Sequence, residues 1–161
     1  MFTHFNKNFE SFFRIFFIIW ASVWAVINIL GTLFQYLYFL FTDNNRDNIK
    51  LLSWFLDTSA LIFGSFFGIL LIVFMINIGK SVKNKKPITN LPILYFLTIL
   101  YYTFVTLVQT INNFLFKGGS VEIIVFTIAW FLPSFILMIV HIIYLVNIDN
   151  YNNELGSKLN N

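Results

Sequence analysis

Two carboxylates, Asp57 and Glu122, stand at the ends of long apolar runs. An acid inside hydrocarbon is costly unless paired, hydrated or protonated, so each is a candidate for function. With Gln35, Gln109, Asn112 and Asn113 they define a candidate polar cluster, for which Arg46, Lys50 or Lys117 would supply counter-charge. Such a cluster could bind a cation, a proton or a polar solute, and its spacing specifies no ligand. The simpler expectation places both acids in the first turns of their helices, stabilised by the helix dipole and interfacial water.

His141 shares a helical face with Thr127, Trp130, Ser134 and Met138. One histidine without companions does not make a protein metal site of the usual kind, and His4 is far away in sequence. A hydrogen-bonded packing role is expected. The chain has no cysteine, which removes disulfides, thiolate ligands and cysteine nucleophiles. Gly79-Lys80-Ser81 has the ending of a phosphate-binding loop, but Phe74 occupies the place of that motif's first glycine, and an apolar run precedes it where a strand belongs. No catalytic, cofactor-binding or metal-binding constellation follows from these residues, and a non-enzymatic protein is expected.

A second set of residues concerns packing. Ala21, Ala25, Asn28, Thr32 and Gln35 recur at four- and three-residue steps, one small and polar stripe on an otherwise bulky helix. Ala60, Gly64 and Gly68 form a matching small stripe that lets a neighbouring backbone approach. The stripes predict helix association, inside the chain or between copies, with Asn28 as interhelical glue in preference to the lining of a solute path.

The elements that must position these residues follow from hydropathy. Of 161 residues, 58% are hydrophobic and 11% charged, too apolar for a water-soluble domain. Four spans are expected, about Ile15 to Phe41, Leu51 to Ile78, Leu91 to Phe116 and Val121 to Val146, each long enough for a hydrocarbon core of about 30 Å. The first reads as a retained signal anchor. The amino-terminal segment 2–14 carries Phe2, Phe5, Phe9 and Phe12 at helical spacing and is expected as an interfacial amphipathic helix, with Arg14 snorkelling at its junction with the first span. Pro92 suits the first turn of the third span, and Pro133 should kink the fourth. Lys117-Gly118-Gly119-Ser120 is short enough to make spans three and four an antiparallel hairpin. The Asn-rich tail 147–161 is expected to be polar, cytoplasmic and disordered. The fold class expected is an all-α membrane protein: a four-transmembrane-helix bundle with an N-terminal interfacial amphipathic helix.

Orientation rests on the connector between spans two and three, where Lys80, Lys83, Lys85 and Lys86 occur without an acid. The positive-inside rule assigns it to the cytoplasm. Lys7, Arg14 and Lys158 then also lie inside, and Arg46, Lys50 and Lys117 outside, with both termini cytoplasmic. The net charge of +3 reads as membrane orientation and attraction to anionic lipid, with no nucleic-acid partner. The 22 phenylalanines and frequent Asn, Ile and Lys fit an AT-rich coding sequence, hence a bacterial plasma membrane or, alternatively, an organellar inner membrane. The function expected is an accessory or scaffold component of a membrane assembly or a homo-oligomer, partnered by lipid and by other membrane subunits or itself. The alternative is a small transporter or channel component that uses the polar cluster.

Overall fold

The computed structural model describes residues 4–41, 48–116 and 121–159. Among them are four α-helices and no strand: α1 (Lys7–Phe41), α2 (Asn48–Lys83), α3 (Leu91–Phe116) and α4 (Val121–Leu159). All four are long and apolar enough to cross a membrane, which makes the chain a candidate multi-pass membrane protein. The connector 42–47 and the Lys117–Ser120 link lie outside the described residues.

α1 begins where Asn6 caps it. Its side-chain Oδ1 accepts from the Phe9 N–H at 3.0 Å, and its carbonyl accepts from Glu10 N–H at 3.0 Å, satisfying donors that a first turn leaves open. The helix then runs through Arg14-Ile15 without interruption. No glycine or proline interrupts the sequence there, so the segment expected as an interfacial helix runs on into the first span as one 35-residue helix. α2 likewise continues past Ile78 to Lys83. α3 is started by the Asn90 carbonyl, which accepts from Leu94 N–H at 3.1 Å, with Pro92 in the first turn. α4 continues through Pro133 and on to Leu159.

That last extension corrects the expectation of a disordered tail. Tyr144, Leu145, Ile148 and Tyr151 are buried and Leu155 packs beside them, a spacing that is one helical stripe. Asn147 lies on the same side, 0% exposed. Asparagine-rich composition obscured an amphipathic helix whose polar residues are themselves used in docking.

Each helix packs against its neighbours in sequence, and α1 also meets α4. The resulting bundle has two unlike ends. At one, which we call the basic end, the start of α1, the α2–α3 connector and the end of α4 come together. The larger core cluster is here: Phe17, Met75, Ile78, Leu91, Leu94 and Ile148 among others, with Phe5, Phe9 and Phe13 against it. A smaller cluster of Leu71, Leu97, Tyr101 and Tyr102 continues it inward. Towards the far end the outer halves of α1 and α4 keep large apolar side chains exposed, Phe34 and Tyr38 on one and Val125 and Ile128 on the other. Hydrocarbon solvates such side chains, so within a bilayer close packing and hydrogen bonds, and not apolar burial, hold helices together.

Candidate functional site

Of the expected polar cluster, the described residues join Asn112 to Asp57. Asn112, fully buried on α3, donates from Nδ2 to Asp57 Oδ1 on α2 at 2.6 Å and approaches the Ser53 carbonyl at 3.4 Å. Its own Oδ1 is buried without a hydrogen-bond partner among the described residues. Asp57 is in the third turn of α2, because that helix begins at Asn48. The helix-dipole account therefore fails for Asp57, since the effect falls off within the first turn; the Asn112 amide is one hydrogen-bond partner of its carboxylate. Glu122 does lie in the first turn of α4 and is exposed. Gln35 is half-buried, and its backbone carbonyl accepts from Trp54 Nε1 at 3.1 Å, a tie reinforced by Phe39 stacked on Trp54 at 4.3 Å. Gln109 and Asn113 are on α3, but their side chains lie outside the described residues, as do those of Arg46, Lys50 and Lys117.

The small-residue stripes meet inside the chain. Ala21, Ala25 and Asn28 are buried on α1, and Ala60, Gly64 and Gly68 on α2. A Cβ at Gly68 would lie 3.5 Å from the Ala21 carbonyl oxygen and 3.7 Å from Ala25 Cβ. Thr32 bonds back to the Asn28 carbonyl at 2.8 Å, as Ser22, Ser65 and Thr106 bond to carbonyls four residues earlier. These hydroxyls are satisfied within their own helices.

His141 packs as expected, without the expected hydrogen bond among the described residues. It is 1% exposed, stacked on Phe17 at 4.1 Å and set edge-on to Tyr102 and Tyr144. Neither ring nitrogen has a hydrogen-bond partner among the described residues, because aromatic faces surround it on three sides.

The basic end contains residues that the motifs did not single out. Glu10, 2% exposed, accepts from Arg14 Nε at 2.7 Å, one turn apart. Lys80, Lys83 and Lys85 stand near this pair, around a cavity between α1 and α2. Beside it α4 grips the other segments. Asn147 accepts from Asn6 N–H at 2.9 Å and donates to the Asn6 carbonyl at 3.0 Å. Asn152 treats Ile88 in the same way, at 2.9 and 2.8 Å. The Tyr151 hydroxyl lies 3.1 Å from the Lys86 carbonyl, and Glu154 accepts from Phe5 N–H at 2.7 Å. The Glu10–Arg14 spacing of four residues and the lysine run of the α2–α3 connector were the signals for this site in sequence.

Comparison with protein-family models, curated proteins and solved structures gives no match. The functional reading therefore rests on the geometry of this chain.

Proposed function

We propose that the protein is a non-enzymatic, multi-pass integral membrane protein that acts as an accessory or scaffold component, within a larger membrane assembly or as a homo-oligomer. One observation carries the reading: the Asp57 carboxylate is joined to the buried Asn112 amide of the neighbouring helix at 2.6 Å, so the most conspicuous polar group of the apolar segments serves as a helix–helix joint. The hydroxyls of Ser22, Thr32, Ser65 and Thr106, each bonded within its own helix, point the same way. The broad apolar surface over the outer halves of α1 and α4 is suited to lipid and to further membrane helices. The basic end faces the cytoplasm in this reading, by the lysine excess of the α2–α3 connector, in a bacterial plasma membrane or alternatively an organellar inner membrane.

The test is the mass and composition of the tagged protein extracted at native expression into nanodiscs. Stoichiometric partner chains or a defined homo-oligomer are expected, and a lone monomer overturns the proposal.

A second reading, a small transporter or channel component, draws on the buried Asn112 Oδ1, which has no hydrogen-bond partner among the described residues and sits beside a carboxylate. In that case Asp57→Asn abolishes flux into proteoliposomes while expression is kept. Equal flux in wild type and variant removes it.

A further inference from the structure

At the basic end α1 and α2 flank an open, water-accessible cleft of about 550 Å³. Lys7 and Arg14 line it from α1, Lys80 and Lys83 from the end of α2 and Lys85 from the turn after it, against one carboxylate, Glu10. Glu10 is already committed to Arg14 Nε. The other four cations have no such partner in the cavity wall, and their mutual repulsion favours an anion among them.

The backbone is adapted to this arrangement at two positions. Arg14 lies flat against α2 at Gly79, where a Cβ would come 2.7 Å from Nη1 and 2.8 Å from Cζ. Any side chain there would push the guanidinium away. Lys85 has φ 53°, at the left-handed position that ends α2. Lys86 N–H bonds to the Ser81 carbonyl at 2.9 Å and Lys85 N–H to the Val82 carbonyl at 3.3 Å, the paired closure that usually places glycine at this position. A lysine held there against backbone preference brings one more cation to the cavity.

Beyond the cavity, whose wall includes Ile76, the same face of α2 becomes apolar. Ile69, Val73, Ile76, Lys80 and Lys83 recur at steps of four and three and so share one face of α2. The three aliphatic residues are 48%, 49% and 41% exposed, an open greasy track leading to the charged cavity. A free anion would use only the cations, whereas an anion carried on acyl chains uses both.

We infer that this cavity binds the phosphate-bearing headgroup of an anionic phospholipid, with an acyl chain along Ile69, Val73 and Ile76. The site is independent of whether the chain has protein partners. It goes beyond diffuse attraction of a basic loop to a charged surface, because the cavity, Gly79 and Lys85 define a place for one molecule.

The full-length protein is reconstituted in nanodiscs of phosphatidylcholine, with or without phosphatidylglycerol, and separately held in detergent with inorganic phosphate. Lipid retained on release into detergent is read by native mass spectrometry, alongside the melting temperature. Wild type is expected to retain phosphatidylglycerol over phosphatidylcholine and to be stabilised by it. Lys80→Gln and Lys83→Gln should each lower that retention about fivefold. Gly79→Ala, which changes no charge, should also lower it through displacement of Arg14, by a smaller factor than a lysine loss because Arg14 is already paired with Glu10. The exposed lysine variants keep the test open if Gly79→Ala misfolds. Equal retention of the two lipids overturns the inference. So does equal stabilisation by inorganic phosphate alone, which would assign the cavity to a free anion, or a folded Gly79→Ala protein that retains phosphatidylglycerol like wild type.

Discussion

Asn152 holds Ile88 by both backbone polar groups, accepting from its N–H at 2.9 Å and donating to its carbonyl at 2.8 Å. Asn147 grips Asn6 in the same two-point fashion. One side chain thus satisfies a donor and an acceptor that the irregular connector cannot satisfy itself, which orders the end of α4 and the α2–α3 connector together.

Replacing Asn152 by alanine removes both bonds, and a loss of about 2 kcal/mol in stability is expected. Asn152→Asp, which keeps the acceptor but turns a carboxylate oxygen towards the Ile88 carbonyl, should lose at least as much as alanine does. Thermal unfolding of the two variants in detergent checks the order; equal melting of Asn152→Ala and wild type would show that the grip contributes nothing.

Asn112→Ala takes the amide donor from Asp57 and opens a void on a fully buried site. The expected cost exceeds the roughly 1 kcal/mol of an average interhelical hydrogen bond in a bilayer. Asp57→Asn preserves a polar partner for Asn112 and should cost less than that. Unfolding by a denaturing detergent, compared across the two variants, reads the difference.

At Gly68 an added Cβ meets its neighbours at ordinary van der Waals distances of 3.5 to 3.7 Å. Gly68→Ala is therefore tolerated and should gain about 0.5–1 kcal/mol from helix propensity. Gly68→Leu forces α1 away and should lose about 1–3 kcal/mol. Opposite shifts in melting temperature are the signature of a close, but not sealed, α1–α2 contact.

Lys85→Gly relieves the left-handed backbone at φ 53° and should stabilise the protein by about 1 kcal/mol. Because it also removes a cation from the cavity wall, it should weaken phosphatidylglycerol retention. Gained stability together with lost lipid binding separates folding from ligand chemistry at one residue.

Much of the architecture was legible in the sequence. Runs of apolar residues long enough to cross hydrocarbon determine four long helices, and the lysines after Gly79 mark a polar connector between the second and third. Local composition decides both, because a helix satisfies its own backbone wherever it lies. Tertiary structure decided the rest. Asn147 and Asn152 read as disorder until Asn6 and Ile88 are brought beside them, since an amide's worth depends on what it can reach. Asp57 read as a first-turn acid until α2 began at Asn48 and α3 delivered Asn112. Arg14 and Gly79 lie in different helices, and nothing in either segment announces that the guanidinium rests on that glycine. Hydropathy is a property of one segment at a time, whereas hydrogen bonds and charge clusters belong to pairs of segments, and only packing chooses the pairs.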